Sequence, residues 1–549
     1  MRYIGPSLAK YKGCDLIDLN PGACLWSQKL HDFLEPRTHV LFEPTPSMWS
    51  DYQQPLLDKP GSTYRLFQGD IKNKDAFDGL FRSDIMSRQN SVEPQSSEAR
   101  QPNNNLLVTG SLMWDPKAPG HAYDSLGKQL LVHLTESALT NERYHKYGPV
   151  RSLLWMTEED FKGAVPRSHY MYGKYSFFVN YLAKTIQVVT PGHAPKGPAY
   201  STIGRLPQYE IQSVIRAMQR GQDNGMELPK HRRDCVHEMA DEIAQYNLKQ
   251  GKAIDARLST VEMIKYLEDR VRDGKSTVGI DYEQDIKTIK ALMNLENNPH
   301  LRKYKNEKGQ LRTTAEGRRV TQFKASLKSN RKQRIQAGKV ADRLEEIFDW
   351  ECGILAMKDG PDKEHALQVL ETMNDNLESA LAELSSIRRT GATSEANERI
   401  SLKSPVPRLQ WDHRPYEPLV MHEEEVWPMK RACLIDSEPR PFPPGRSANW
   451  WSWILDFAYA LLQTPNASVK KALDTMQPGA SSLCDGVSSL KDPKRGGRLN
   501  LDHLKVSMLT NEMITDLHQA YMDWPFRDAS ATHSRYFQLK IRGRTNRES

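Results

Sequence analysis

Short apolar runs alternate with helical patterns over residues 1–205. Six of these runs have the length and composition of buried strands, namely 15–19, 39–42, 65–68, 106–109, 152–156 and 186–189. The intervening segments 27–33 and 126–137 carry apolar residues at helical spacing. Strands that alternate with helices predict an α/β fold, with helices on both faces of a mostly parallel sheet. The polar, breaker-rich segment 84–105 predicts a disordered loop.

The pattern changes over residues 206–410. Ser259 and Glu262 have the spacing of a capping box that opens a helix. Further along, an amphipathic stripe is typical of core packing rather than of a partner groove, and consists of Met373, Leu377, Leu381 and Leu384. We interpret 206–410 as a helical insertion with flexible joints that is disordered in part.

Residues 411–527 form a block rich in Trp and Pro, which we interpret as a small helical C-terminal domain. One helix is indicated by the spacing of its apolar residues, Trp450, Trp453, Ile454, Phe457, Leu461 and Leu462. Thr510 is placed to cap a last helix, which ends before Trp524-Pro525-Phe526. The segment 528–549 predicts a flexible basic tail, because it has five bases and little to bury.

Composition narrows the class of protein. Hydrophobic residues make up 38% of the 549 residues, and no apolar run approaches the roughly 20 residues that span a bilayer, so we expect a soluble chain without membrane contact. The six cysteines form no CxxC pair, which argues against a disulfide framework or a zinc site. Residues 1–12 carry three bases and no acid, which fits either organellar import or a short basic N-terminus.

The net charge of +7 is unevenly distributed. Between Arg302 and Lys339 there are 13 Lys or Arg and 2 Glu, so this segment alone carries +11 and the remainder of the chain −4. Such a local excess indicates a polyanionic partner. A solvated basic linker would have the same composition, and both interpretations stay open for this segment.

Three acids follow consecutive predicted strands. Asp18 precedes a turn with Gly22, Glu43 closes the second strand, and Asp70 follows the third. A strand, a tight turn and a helix N-terminus form the place where α/β sheets bind nucleotide-like ligands, and the second carboxylate can accept both ribose hydroxyls. This is the layout of an S-adenosylmethionine-binding methyltransferase domain. A Rossmann-like scaffold with exposed acids at its strand ends is the alternative.

Two departures argue against catalysis. The turn holds Asn20 and Cys24 where a close approach to a ligand favours glycine. The fourth strand ends in Thr109-Gly110-Ser111-Leu112-Met113, whereas amino-methyltransferases of this class place an Asn/Asp-Pro-Pro-Tyr-like loop there, which orients the target amine and stacks the flipped base. We therefore expect no base methylation, while S-adenosylmethionine binding stays open.

The first domain resembles the rRNA adenine dimethyltransferase superfamily, and the remainder resembles one branch of it, the fungal mitochondrial transcription factor B. The resemblance covers about 1–200 and 411–527, and the insertion has no counterpart in it. Upstream of Asp15 the chain is shorter than is usual in the family, so we expect a reduced lid or a sequence that starts late. The motifs that carry the resemblance are YGPVR (147–151), LLWM (153–156), YEPLV (416–420), EEEVWP (423–428), CLID (433–436), NWWSWILDF (449–457), TPNASVKKALDTMQPGA (464–480) and LTNEMITDLHQAYMDWPF (509–526).

The resemblance implies a methyltransferase-like domain and a helical C-domain that hold a basic groove for the separated promoter strand, with a tail that reaches toward the polymerase. It implies no catalytic residue, no metal and no required cofactor, and Asp18, Gly22, Glu43 and Asp70 become a vestigial S-adenosylmethionine site. The tail suits phosphate contacts plus base stacking. Candidate nucleic-acid contacts are Arg143, His145, Lys146 and Arg151 near the fifth strand, and Arg535, Tyr536, Phe537, Lys540, Arg542 and Arg544 in the tail.

Three functional hypotheses follow. The first is a monomeric, non-enzymatic transcription initiation factor of the mitochondrial matrix that binds the mitochondrial RNA polymerase and stabilises melted promoter DNA. The second is an active rRNA adenine dimethyltransferase of the mitochondrial small subunit. The third is a mitoribosome assembly protein that binds RNA with the same fold. The fourth-strand loop favours the first over the second, and the C-terminal motifs favour the first over the third.

Overall fold

The computed structural model describes residues 1, 3–94, 96–114, 117–120, 123–193, 205–277, 283–404, 408–427, 429–441, 443–446 and 450–527. Ten strands are found in these ranges. They are β1 (Asp15–Leu19), β2 (Thr38–Glu43), β3 (Tyr64–Gln68), β4 (Leu106–Ser111), β5 (Ser152–Thr157), β6 (Ala183–Pro191), β7 (Lys303–Lys305), β8 (Leu311–Thr313), β9 (Leu419–Met421) and β10 (Ala432–Pro439).

Eighteen α-helices accompany these strands in the described ranges. Those before residue 206 are α1 (Gly5–Leu8), α2 (Leu25–Leu34), α3 (Ser50–Leu57), α4 (Lys74–Arg82), α5 (Leu126–Thr140), α6 (Glu158–Lys162) and α7 (Lys174–Leu182). The insertion contains α8 (Pro207–Asp223), α9 (Cys235–Lys249), α10 (Thr260–Arg272), α11 (Glu283–Asn297), α12 (Ala315–Ala356), α13 (Pro361–Ala382) and α14 (Ser386–Lys403). The C-terminal helices are α15 (Trp450–Leu461), α16 (Val469–Met476), α17 (Leu483–Gly486) and α18 (Asn511–Asp523).

The central sheet has eight strands in the order β3-β2-β1-β4-β5-β10-β6-β9. Neighbouring strands are parallel except at β10, which runs antiparallel to both β5 and β6. In β1, Asp15 pairs with Thr38 on one side and with Leu106 on the other. The predicted α/β class with a mostly parallel sheet is therefore confirmed. The ends of β1 to β4 meet at one border of the sheet, which we call the carboxyl edge.

Helices cover both faces of the sheet. All five residues of β1 are buried, as expected for a strand with packed faces on both sides. Leu16 belongs to an apolar cluster with Leu30 of α2, while Ile17 belongs to a different cluster with Leu130 of α5. Because successive strand residues point to opposite faces, this alternation assigns α2 and α5 to opposite sides of the sheet.

The predicted boundary at residue 411 is wrong in one respect, because 411–527 is not purely helical. β9 and β10 lie in the central sheet, and Ile435 of β10 pairs with Leu154 of β5. Ile454 of α15 and Leu517 of α18 share one apolar cluster with Ile17 of β1. The boundary thus divides one sheet and one core. Pairing between strands almost 300 residues apart leaves no local periodicity from which the sequence could have revealed it.

The insertion is helical, as predicted, but the segment 302–339 is not a linker. Its residues form the β7–β8 hairpin and the first part of the 42-residue helix α12. Thr314 caps this helix, since its hydroxyl accepts a hydrogen bond from Gly317 N at 2.9 Å. Leu327 packs against Ile289 of α11, so the basic part of α12 is fixed against another helix of the insertion.

Several local predictions for the helices are confirmed. Ser259 and Glu262 make the capping box, with bonds of 3.2 Å and 2.8 Å between each side chain and the other's amide. Leu377 and Leu381 pack on α12, so the stripe in α13 is core. Thr510 accepts a hydrogen bond from Met513 N and opens α18.

The prediction of disorder for 84–105 is wrong for the described residues of that segment. Met86 and Ala99 are buried in the protein. Val92 N donates to the Lys146 carbonyl at 3.0 Å, and the Asn103 side chain donates to the Tyr147 carbonyl at 2.8 Å. These contacts supply the polar partners and the apolar burial that the composition alone did not indicate.

Candidate functional site at the carboxyl edge

The turn after β1 is strained at the two positions where glycine was missing. Asn20 has φ 54° and Cys24 has φ 57°, and both values lie in the left-handed region that favours glycine. Gly22 between them also lies in this region, with φ 55°. Asn20 offsets part of this cost, because its side-chain amide donates to the Ser111 carbonyl at 3.0 Å. The turn therefore ties the end of β1 to the end of β4, and the sequence departures coincide with real backbone constraints.

Glu43 is used to hold this turn. One carboxylate oxygen accepts a hydrogen bond from Gly22 N at 3.3 Å, and the other accepts one from Thr45 N at 3.2 Å. The residue is 2% exposed. Burial raises the pKa of Glu43, and the amides of Thr45 and Gly22 oppose this shift only in part. The ribose-binding role expected for Glu43 would require Thr45 and the turn to move away.

The turn is also covered from outside by α3 and the residues before it. Gln53 donates from its side-chain amide to the Gly22 carbonyl at 3.0 Å, and it is 1% exposed. The Trp49 ring lies 3.6 Å from the position of a Cβ at Gly22. The turn that the sequence predicts as a ligand site is thus packed against Trp49 and Gln53.

Asp18 faces the α2 side of the sheet, like Leu16. It is buried, and its Oδ2 lies 3.7 Å from His39 Nε2. Neither of these two atoms has a hydrogen-bond partner within the described residues. The His39 ring in turn stacks on Tyr64, with ring centroids 4.6 Å apart. Asp18 therefore lies beneath a layer of rings.

Asp70 differs from the other two acids because it is 38% exposed. Its carboxylate accepts a hydrogen bond from Lys72 N at 2.9 Å and lies 3.0 Å from Lys72 Nζ. Gly69 before it is required by close packing, since a Cβ there would lie 2.6 Å from the Phe42 ring. The structure thus places Asp18, Gly22, Glu43 and Asp70 at the strand ends, as predicted, with Asp70 as the open acid of the set.

The end of β4 is closed by packing. Thr109 accepts a hydrogen bond from Trp26 Nε1 and donates to the Leu153 carbonyl, both at 2.9 Å. A Cβ on Gly110 would lie 2.3 Å from the Leu19 carbonyl, so only glycine fits between β4 and β1. Leu112 is fully buried. The described residues 109–114 therefore present no carboxylate or side-chain amide that could accept hydrogen bonds from a target amine.

Two predicted nucleic-acid contacts near β5, Arg151 and His145, are corrected because they are buried, and a third, Arg143, is half-buried. Arg151 is 4% exposed, and its guanidinium donates to Asp436 and to Ser7, so no part of it is left for an external phosphate. His145 is 1% exposed. Arg143 donates to the Ile71 carbonyl at 3.1 Å and lies over the Phe77 ring. These side chains support the core, which spacing along the sequence could not distinguish from a surface role.

Lys146 is exposed and stays a candidate contact. The six tail candidates, from Arg535 to Arg544, lie outside the described residues. All six cysteines are free, and four of them are buried. Within the described ranges, no group of three or more His, Cys, Asp or Glu side chains could hold a metal ion, and no helix is both long and apolar enough to cross a bilayer.

A cavity that the sequence did not indicate lies in the insertion. It has a volume of about 730 Å³ and is formed by α10, α11 and α12. Its walls carry six basic side chains, Arg272, Lys324, Lys328, Arg331, Lys332 and Lys339. The sequence indicated the positive charge of this site through the basic run at 302–339. It could not indicate the concave shape, because that shape depends on how three helices pack.

No protein-family model matches the chain, and no curated protein shows a significant match to it.

Proposed function

We propose that the protein is a non-enzymatic mitochondrial transcription initiation factor that acts in the matrix, binds the mitochondrial RNA polymerase and stabilises melted promoter DNA. The proposal that the protein is not an enzyme is supported by the packing at the end of β4. Thr109 is engaged on both sides, and Leu112 belongs to the core. An amine presented there would find no carboxylate or side-chain amide among residues 109–114 to accept its hydrogen bonds, which argues against its orientation for methyl transfer.

The order of the strands supports a methyltransferase-type scaffold for this factor. The parallel part follows the Rossmann order 3-2-1-4-5, and a single antiparallel strand, β10, is inserted between β5 and β6. A scaffold of that kind can keep its sheet while its function moves to other surfaces.

The packing of the family-like motifs supports the transcription-factor branch. CLID at 433–436 pairs in register with LLWM at 153–156, although about 280 residues separate them. Phe457 of the NWWSWILDF motif contacts the Tyr521 ring in the last motif, with centroids 5.4 Å apart. Motifs that carry the resemblance from distant parts of the chain thus meet in one core.

A run-off transcription assay tests the proposal. Purified mitochondrial RNA polymerase is incubated with a linear promoter template, with and without the protein. We expect specific run-off product only when the protein is present. A template whose promoter strands are already mismatched over the start site is the control, because melting is then no longer needed and the dependence should be strongly reduced. Equal initiation on the duplex template with and without the protein contradicts the proposal.

The acids at the strand ends favour one second candidate, a small-subunit rRNA adenine dimethyltransferase. Asp18, Glu43 and Asp70 keep the positions that such an enzyme would use. Titration calorimetry with S-adenosylmethionine and a methylation assay on small-subunit rRNA test this candidate together. Methyl transfer to adenine would favour the enzyme, whereas binding without transfer would argue against it.

A further inference from the structure

One face of α12 carries a stripe of bases along the cavity. Lys324, Lys328, Lys332 and Lys339 recur at steps of four or seven residues, which returns them to the same side of a helix. Each four-residue step rises about 6 Å, so the stripe extends over about 22 Å. It is a line of positive charge with regular spacing rather than a scattered patch.

Buried apolar side chains and ion pairs line the cavity around the stripe. Leu292 of α11 and Leu327 of α12 are buried beneath it. Glu296 lies 3.5 Å from Lys324 Nζ, and Glu268 pairs with Arg331. Both acids line the cavity beside the bases with which they pair.

Three of the lysines are left without an internal partner. Lys328, Lys332 and Lys339 are exposed, and none of them forms an ion pair or a side-chain hydrogen bond within the described residues. Such groups usually are solvated by water and worth little to stability. Three unpaired ammonium groups in a row at one concave surface instead raise the local potential for an anion.

Charge along α12 is divided between its two halves. Residues 318–339 contain eight Lys or Arg and no acid, whereas 342–351 contain five acids. Three of these acids pair with bases outside α12: Asp342 with Arg399, Asp349 with Lys403 at 2.6 Å, and the buried Glu351 with Arg498 at 2.6 Å. The acidic half thus docks the helix, whereas the basic half keeps three exposed lysines without a partner among the described residues.

We infer that the groove formed by α10, α11 and α12 binds the phosphate backbone of a nucleic acid. Over its length of about 22 Å the stripe offers four ammonium groups, enough to contact about four phosphates of a strand. Lysines supply point charges without a fixed planar fork, so contacts of this type position a strand without reading its bases. This site is separate from the tail and does not depend on the proposed function.

The test uses the full chain and the triple variant K328Q/K332Q/K339Q. Binding of fluorescein-labelled 20-mers is followed by anisotropy between 50 and 200 mM salt, with single-stranded RNA, single-stranded DNA and duplex DNA as separate arms. We expect the variant to bind roughly 10- to 100-fold more weakly at 0.1 M salt, and the slope of log K against log salt to become shallower by about 2 to 3. The arm with the largest change in slope identifies the strand type.

The matched control is K230Q/K249Q/K358Q. It removes the same charge from three exposed lysines of the insertion that line no part of the groove. Its slope should change by less than half as much, and the tail is intact in all three proteins. An unchanged slope in the groove variant overturns the inference, as does an equal change in the control. Stronger competition by poly-glutamate than by unlabelled nucleic acid also overturns it.

Circular dichroism and thermal unfolding establish that both triple variants are folded. If the groove triple is unfolded, the single charge reversal K328E replaces it, since a substitution at one exposed side chain away from the core leaves the fold intact. A single reversal should lower the slope by about 1 to 2 in the same assay. A slope equal to that of the unmodified chain contradicts the inference.

Discussion

The residues chosen as ligands from the sequence are mostly held by the protein itself. The Glu43 carboxylate accepts hydrogen bonds from the backbone amides of Gly22 and Thr45. Arg151 is enclosed by Asp436 and Ser7. Residue type and position at a strand end were predicted correctly for the acids. The hydrogen-bond partner of each side chain could not be predicted, because hydrogen bonds across the sheet join residues that are far apart in sequence.

His145 provides a prediction at this scale. Val150 N–H donates to its Nδ1 at 3.0 Å, and its Nε2 faces the Leu134 carbonyl at 3.1 Å, so the ring is held neutral. Burial lowers the pKa of His145 to about 3, whereas an unfolded histidine titrates near about 6.5. The unfolded state therefore binds a proton that the folded state does not. We expect the free energy of unfolding to fall by about 2 kcal/mol from pH 7 to pH 5 because of this group.

Urea unfolding at pH 7 and pH 5 measures this effect. H145Q removes the titrating group, so its loss of stability over this range should be about 2 kcal/mol smaller than that of the unmodified chain. H231Q is the control at an exposed histidine and should keep the original pH dependence. The same pH dependence in H145Q and the unmodified chain contradicts the prediction.

At the scale of elements, β10 connects the C-terminal part of the chain to the central sheet. It lies between β5 and β6 and joins a C-terminal segment to the first domain. The helix α12 has a comparable role in the insertion, because its acidic half docks on Arg399 and Arg498. The sequence patterns of β10 and α12 are those of an ordinary strand and an ordinary helix. Their structural role depends on the distant elements that they contact.

The Arg151–Asp436 pair is a testable part of the β5–β10 contact. Arg151 Nε donates to Asp436 Oδ1 at 2.7 Å, and both side chains are buried. R151M leaves the carboxylate of Asp436 buried and unpaired, so we expect a loss of about 3–5 kcal/mol in the free energy of unfolding. The double variant R151M/D436L should recover most of this loss, because replacing both charges by apolar groups is close to neutral.

Chemical denaturation of the two variants decides the point. K146M serves as the control, since Lys146 is an exposed base five residues away and its loss should cost less than about 0.5 kcal/mol. If R151M is as stable as K146M, Arg151 does not have the structural role assigned to it. Failure of the double variant to recover stability would mean that the contacts to Ser7 matter more than the pair.

At the scale of the whole molecule, a buried ionic network joins the described part of the insertion to the rest of the protein. The segments 194–204 and 405–407, where the expected flexible joints would fall, lie outside the described residues. Arg205 is completely buried and donates to Glu398 of α14 at 2.9 Å and to Asp412 near β9 at 2.7 Å. Glu398 also accepts a hydrogen bond from Ser168 at 2.7 Å. Paired burial of this kind fixes the geometry of the contact, because each charge is stable only beside the others.

The tail carries a prediction for the whole factor. Removing 528–549 should weaken formation of the open promoter complex by about tenfold or more, because the aromatic pair Tyr536-Phe537 and five bases are lost and each base stack is worth roughly 1–3 kcal/mol. Binding to the polymerase should be largely retained. Fluorescence of 2-aminopurine in the promoter measures melting, and a pull-down measures binding.

The variant Y536A/F537A separates stacking from charge in that experiment. It keeps all tail bases, so most of the salt dependence should remain while melting is reduced. Equal loss of melting and of polymerase binding in the truncated protein contradicts a role for the tail in strand contact.

The sequence by itself determined the elements and their class. The run DLIDL, the capping box at Ser259 and the cap at Thr510 are local, because periodicity and capping depend on residues within one or two turns. The six predicted strands and the helical character of the insertion followed in the same way. Even the strained positions Asn20 and Cys24 were recognisable as places where glycine was missing.

Only the tertiary structure decided which elements meet. Nothing local in ACLIDSEP shows that β10 enters the sheet between β5 and β6, and nothing in the basic run shows that Lys328 and Lys332 border a cavity. Burial of Arg151 and engagement of Glu43 likewise depend on distant partners. The physical reason is that periodicity reports one element at a time, whereas burial, pairing and charge neutralisation are properties of contacts between elements.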